Sequence, residues 1–467
     1  MSHDSLSKFT LIVLATLVCV LAHAHDKNTL VPEGYDAYSA GPMPDRIILM
    51  MTPTPESSQT VNWRTNQAVS QSLAQISLAL PTPGLHLEAK TVIGEPRAVD
   101  ADNGGAHYHT VTFENLEPDT LYAYRVMGEE TWSEWFQFKT AANAEKAFKF
   151  FYFGDAQNSV KSHFSRVIRE AFMRNERPAF MLHAGDLVNL RDGNHDDEWG
   201  EWFDAGAFLN AMIPSIIVAG NHEFVGGLLQ LKRSLSPQFE PQFTTPDNGP
   251  DGLKKTVYHT SYQNTLIVVL DSMSAIYDED DAIKQAQWLD DLLAKSEHRW
   301  VIVSQHHPIH SVSAGRDNPV LREHWQPVFE RHGVDLVLQG HDHTYGRGTS
   351  APLPGSNRSE TSGPMYVVSV AGPKMYVIGD EDNPNMQRMG EELQLYQTIE
   401  VASDRIHFQA WSADGVLYDA FEILKNTSGG STVNDLIPMD TPIHRCTNPN
   451  RPEADRCWNG KELISLP

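Results

Sequence analysis

From His25 to about Ala144 the apolar residues never recur at helical spacing over any useful length. They gather in short runs rich in β-branched and aromatic side chains, RIILMMT, QTVNWRT, HYHTVTF, LYAYRVM and EWFQFKT, separated by turn-like groups such as TPTPESS and VDADNGG. Such runs predict strands, and a succession of short ones predicts an all-β antiparallel sandwich over residues 25–144. Trp63 is its expected core aromatic. After about Ala147 the pattern changes, and the runs KAFKFFYF, AFMLHA, PSIIVA, NTLIVVLD, RWVIVSQ and VDLVLQ alternate with helical stretches. In one, Phe164, Val167, Ile168, Ala171 and Phe172 recur at i, i+3, i+4, i+7 and i+8. In another, DAIKQAQWLDDLLAK, the residues Ile283, Ala286, Leu289, Leu292 and Leu293 share a face opposite the charges. Strands alternating with helices predict an α/β layered domain. Four more strand-like runs beyond Pro364 make it a two-sheet β sandwich flanked by helices, over residues 145–425. Residues 426–467 are Pro-rich and polar, and predict a loosely ordered tail.

The first 24 residues read separately. Lys8, the apolar run Phe9 to Ala22, and small residues at Ala22 and Ala24 form an export signal with cleavage near Ala24. The apolar run is short of the roughly 20 residues a bilayer core needs, so no stable membrane span is expected after cleavage. That predicts a secreted or periplasmic chain. Cleavage would remove Cys19 and leave Cys446 and Cys457, which either close a disulfide around the tail or remain free thiols. With 467 residues and 40% hydrophobic content the chain can bury the cores of two domains. A net charge of −24 opposes nucleic acid and anionic membranes. An anionic substrate would then need a local source of positive charge, which bound metal ions supply.

Five of the strand runs end in metal-binding residue types: FGDAQ with Asp155, AGDLVN with Asp186, AGNHE with Asn221 and His222, SQHHP with His306 and His307, and QGHDH with His341 and His343. Ligands gather at the carboxyl ends of strands in open α/β sheets. Each cluster alone has a plain structural reading, as a strand-end cap, a turn or a satisfied histidine. Together their mix of carboxylate, amide and imidazole suits two divalent ions.

The order GD, GDxx, GNHE, HxP, GHDH resembles the calcineurin-like metallophosphoesterases. The preceding sandwich is similar to the N-terminal domain of the purple acid phosphatases, and its stretch LEPDTLYAYRV resembles a strand corner of fibronectin type III domains, with Tyr122 bonded back across it. By position, the resemblance implies that Asp155, Asp186 and His343 hold a first metal, with Asp186 bridging to a second held by Asn221, His306 and His341. It implies an exported phosphohydrolase with two divalent ions (Fe, Mn or Zn), attacking a small phosphorylated substrate in line with a metal-bound hydroxide, while His222 protonates the leaving oxygen. Phosphomonoesters are the expected substrates. A phosphodiesterase for nucleotides or phospholipid head groups is the alternative within catalysis, and a non-catalytic surface protein with a degenerate metal site the alternative outside it. The tyrosine that colours the purple enzymes is replaced by Asn189, so no tyrosinate–ferric chromophore is expected. The histidine that many relatives carry two places after the first aspartate is Gln157, whose amide oxygen is a candidate ligand. Asn189 is expected to orient His222. Arg191, Arg316, His307 and His310 are candidates for touching substrate or supporting the ligands, and Tyr345 and Arg347 for shaping the rim.

Overall fold

The computed structural model describes residues 28–32, 34–101, 103–175, 177–189, 196–226, 233–349, 364–379, 385–425, 431–438, 440–446 and 456–458. The predicted signal, residues 1–24, and Arg191 lie outside them.

The N-terminal domain is a sandwich. Strands Asp45–Met50, Gln59–Asn66 and Gly104–Phe113 form one sheet, and Ser72–Leu78, Leu121–Val126 and Phe136–Lys139 the other. The strand Lys90–Ala101 serves both: its first half pairs with Ser72–Leu78 and its second half, from Glu95, with Gly104–Phe113. Ser72–Leu78 and Lys90–Ala101 were not among the predicted strands. Many residues of Lys90–Ala101 face solvent, and Gly94 and Pro96 interrupt its β-like composition where it changes sheet. Between the sheets lie Val61, Trp63, Val111, Tyr124 and Phe138. Trp63 Nε1 donates to the Met127 carbonyl at 3.1 Å, and the Tyr122 hydroxyl accepts the Glu117 N–H at 2.9 Å across the corner.

The second domain stacks helix, sheet, sheet and helix. Its first sheet runs Leu417–Lys425, Arg405–Ser412, Leu395–Val401, Phe148–Phe153, Met181–His183, Ser215–Ile217, the last three parallel. Ser215–Ile217 meets Asp45–Met50 at Met50, so one 14-stranded sheet passes through both domains. The second sheet is parallel through Thr265–Val269, Trp300–Gln305, Leu336–Gln339 and Met365–Val368. Side chains from the two sheets meet in one core, Phe150, Tyr152, Leu182 and Ile216 from one, and Ile267, Ile302, Leu338 and Val367 from the other. Each such aliphatic or phenyl side chain contributes about 1.5–3 kcal/mol by burial. Helices Val160–Arg174 and Asp197–Gly206 cover one outer face, and Glu279–Ala294 and Gln326–His332 the other.

Two expectations need correcting. The helix Glu279–Ala294 buries Ala282, Gln285, Leu289 and Leu293, with Ile283, Ala286 and Leu292 only flanking that face. Gln285 can lie at its centre because its amide satisfies both the N–H and the carbonyl of Asp271 at 2.9 Å. The tail is ordered where it is described: Ser431–Asp435 adds an edge strand to Leu417–Lys425, Arg347 pairs with its Asp435, and Arg456–Trp458 pairs with Met375–Tyr376. Cys446 is disulfide-bonded. Among the described residues no helix is long and apolar enough to cross a membrane.

Candidate metal centre

All five ligand-bearing segments leave the carboxyl ends of parallel strands, three from the first sheet and two from the second, and converge where the sheets face each other. A glycine precedes Asp155, Asp186, Asn221 and His341, and it has a steric purpose. Gly185 has φ +91°, and a Cβ there would come within 2.7 Å of the Gly220 backbone and of His306 Nδ1. A Cβ on Gly340 would lie 2.3 Å from Asp155 Oδ1. Asp186 and His341 themselves adopt φ of 50° and 69°, a left-handed conformation that non-glycine residues hold mainly at functional sites.

Asp186 Oδ2 is the hub. On one side it accepts Gln157 Nε2 at 2.9 Å, and that amide nitrogen lies 3.0 Å from His343 Nε2, itself 3.2 Å from Asp155 Oδ2. On the other side His306 Nε2 lies 3.3 Å from Asp186 Oδ2, 3.2 Å from Asn221 Oδ1 and 3.3 Å from His341 Nδ1. The structure thus brings together all six predicted ligands and Gln157 in two groups that share one carboxylate oxygen. Asp155 Oδ2 and Gln157 Oε1 are buried without a hydrogen-bond partner among the described residues. A cation beside Asp155, with the amide turned to present its oxygen, would satisfy both, so the donor set fits a metal.

The imidazoles are oriented from behind. His306 Nδ1 donates to the Ala184 carbonyl at 2.9 Å and His343 Nδ1 to the Lys374 carbonyl at 2.8 Å, leaving each Nε2 toward the centre. Burial holds His343 below the usual histidine range. His341 lies well below it, through burial and the neighbouring positive charges. His306 is different. Burial would lower it, but the Asp186 and Asp155 carboxylates raise it to about 9. Asp186 stays well below the carboxylate range because His306 and His222 outweigh its burial.

His222 reaches the centre with its Nε2 3.9 Å from Asp186 Oδ2. Its Nδ1 donates to Asn189 at 2.7 Å, but to the main-chain carbonyl and not to the side-chain amide expected from the sequence. His307 packs its ring 4.0 Å from His341 and is tied by Nδ1 to Ser272 Oγ at 2.9 Å. His310 stands further out, 3.3 Å from the Asn385 amide and edge-on to Tyr366. Arg316 donates to the His341 carbonyl at 3.2 Å and lies 4.6 Å over the ring of Tyr376, which packs against His343. Tyr345 and Arg347 do not shape a rim. Both are buried and bond to Asp419 at 2.7 and 2.8 Å, because an arginine that deep requires a carboxylate partner.

Two residues were missed. Glu223 is fully buried and accepts the N–H of Asp186 at 2.9 Å, of Gly220 at 2.7 Å and of Leu187 at 2.8 Å, fastening the Asp186 loop to the Asn221–His222 loop. Asp342 accepts the N–H groups of Val312 and Ser313 at 2.7 and 3.1 Å, anchoring the His341–His343 turn. The only sequence signal was their position inside the GNHE and GHDH blocks.

Facing parallel strands that deliver a shared aspartate with histidine and amide donors define a metallophosphoesterase. Residues 148–345 match the calcineurin-like phosphoesterase family and residues 44–140 the family of purple acid phosphatase N-terminal domains. The chain thus carries a domain of the purple acid phosphatase N-terminal family followed by a calcineurin-like phosphoesterase domain. It is 28% identical over 346 residues to an uncharacterised protein of Mycobacterium tuberculosis, covering 67% of this chain and 63% of that one. It is 26% identical over 325 residues to the Fe(3+)-Zn(2+) purple acid phosphatase 12 of Arabidopsis thaliana, covering 64% and 61%. A purple acid phosphatase from yellow lupin seeds shares the fold, with a TM-score of 0.67 at 17% identity over 83% of this chain and 75% of that one.

Proposed function

We propose that this chain is an exported phosphohydrolase with two divalent metal ions, acting on phosphomonoesters. Export rests on the N-terminal sequence, and the two-metal reading on Asp186 Oδ2, within reach of two separate donor groups. Asp155, His343, Asp186 and Gln157 would hold one ion, and Asp186, Asn221, His306 and His341 the other. Iron, manganese and zinc suit the mixed N and O donors, and the printed name of the Arabidopsis relative carries iron and zinc. When bound, two such ions neutralise phosphoryl charge and acidify an attacking water.

The chain's own residues supply the rest. His222, its Nδ1–H held by the Asn189 carbonyl, presents Nε2 to the centre. In its protonated form Nε2 gives its proton to the leaving oxygen as the P–O bond breaks. Arg316, with Lys374 5.4 Å from the same Tyr376 ring, puts positive charge beside the ligands, as the two negative charges of a monoester require. The test is hydrolysis of an aryl phosphate monoester and the matching diester by residues 25–467 with manganese, iron or zinc, with His341→Ala as the blank. Metal-dependent monoester turnover lost in the blank is the expected result. Faster diester turnover would refute the substrate class, and no turnover with any metal would leave the non-catalytic reading.

A further inference from the structure

We infer that the N-terminal domain is part of the catalytic apparatus, holding His222 in position through a relay that ends at Glu198. The inference rests on the proposed role of His222 as general acid. Arg46 and Arg64 project from the N-terminal strands Asp45–Met50 and Gln59–Asn66, and both are buried. Arg46 grips both carboxylate oxygens of Asp196, at 2.9 and 2.8 Å, and its main-chain carbonyl at 3.1 Å. Arg64 reaches the same carboxylate at 2.5 Å and Asp45 at 2.6 and 2.8 Å. Asp196 begins the helix Asp197–Gly206, whose first turn carries Glu198. Glu198 Oε2 accepts the Asn189 N–H at 2.5 Å, and the Asn189 carbonyl accepts His222 Nδ1–H at 2.7 Å.

Each link is a charge-assisted or buried bond, of the kind that fixes geometry. The first link also holds a strained backbone. Arg46 has φ 50°, and the pairing of its strand shifts register between Asp45 and Ile48, so the irregularity aims its guanidinium at Asp196. A carbonyl places its donor only as well as its own peptide is placed. Among the described residues, the bond that the Asn189 N–H donates to Glu198 ties its peptide to the helix. Glu198 is therefore a positioning residue, acting on His222 through Asn189, and Arg46 positions the helix that carries it.

The test separates positioning from folding by leaving group. Loss of a general acid slows poor leaving groups far more than good ones, whereas loss of fold or metal slows both alike. His222→Ala, Glu198→Gln and Arg46→Lys are assayed with an alkyl and an aryl phosphate, with metal content and melting temperature recorded for each. Arg46→Lys keeps the charge but not the forked grip, and serves if Glu198→Gln fails to fold. His222→Ala should cut alkyl phosphate turnover by about a hundredfold or more relative to aryl. Glu198→Gln and Arg46→Lys should show the same split at about tenfold, with full metal content. If His222→Ala shows no split, the general-acid reading falls and this inference with it. If His222→Ala splits the substrates but Glu198→Gln slows both equally or neither, the relay is refuted while the proposed function stands. A split in Glu198→Gln but none in Arg46→Lys would refute the part given to the N-terminal domain.

Discussion

Replacing Glu223 by Gln is the sharpest test of how the centre is held. An amide oxygen in the place of Oε2 would keep the bonds from the Asp186 and Gly220 N–H groups, but its NH2 would then face the Leu187 N–H, donor against donor. One charge-assisted bond is lost, ~1.5–3 kcal/mol, and two become neutral, ~1–2 kcal/mol together. The metal-loaded protein should therefore lose about 2.5–5 kcal/mol, a large value for one side chain. The stripped protein should lose less. There, burial and the Asp186 carboxylate push Glu223 up to about 8, so near pH 7 the acid is largely protonated and Gln resembles it. Bound cations would offset the Asp186 charge and return Glu223 to its ionised form. Denaturant melts of loaded and stripped protein measure the two losses, and their difference must appear as weaker metal binding in a titration. Equal losses in both forms would show that Glu223 serves only the fold. A loss below about 1 kcal/mol in both would refute the clamp altogether.

Other outcomes follow from individual contacts. Asn189→Ala should leave turnover within about twofold, since His222 is held by a main-chain carbonyl that the substitution keeps; a loss resembling that of His222→Ala would return the role to the side chain. Gln157→Ala should lower affinity at the Asp155–His343 position by about tenfold to a hundredfold and spare the other, read as loss of one ion of two on dialysis. His183 lies between Phe153 and Trp202, and burial lowers it to about 3. The native state then binds fewer protons than the unfolded state between pH 6.5 and about 3, so stability should be whole above pH 6.5 and fall through that window. By pH 4.5 the loss should reach about 2–3 kcal/mol, and His183→Phe should flatten melting temperature against pH.

The centre was legible because every candidate ligand directly follows a β-rich run, and parallel strands must discharge their loops at one edge. Asp155, Asp186, Asn221, His306, His341 and His343 meet for that reason. What escaped depends on atoms a side-chain alphabet does not encode. Asn189 acts through its carbonyl, and Glu223 binds only backbone N–H groups, so both become visible when two loops are placed together. Gln285 escaped for a related reason: a polar residue is expected outside until a partner such as the Asp271 backbone is known. The strand Lys90–Ala101 spreads its pairing over two sheets, so neither half shows a clean alternation.

The charge inside the centre also shows why metal binding and folding should be coupled. Asp155 and Asp186 are both buried, and among the described residues neither pairs with Lys or Arg. Each uncompensated buried ion costs several kcal/mol. Within the ligand set, the positive charge of the stripped site is the proton on His306, kept there up to about pH 9 because burial is outweighed by Asp186 and Asp155. A cation must displace that proton to use Nε2, and the return of Glu223 to its ionised form frees a second, so loading should release about two protons per chain at pH 7 and bind more tightly as pH rises toward 9. Calorimetric titration of stripped protein in buffers of different ionisation enthalpy measures the release directly, and chelation should lower the melting temperature. Binding with no proton release near pH 7 would mean that His306 was neutral beforehand. The buried carboxylates would then have to be relieved in some other way, and the placing of His306 beside Asp186 would lose its electrostatic explanation.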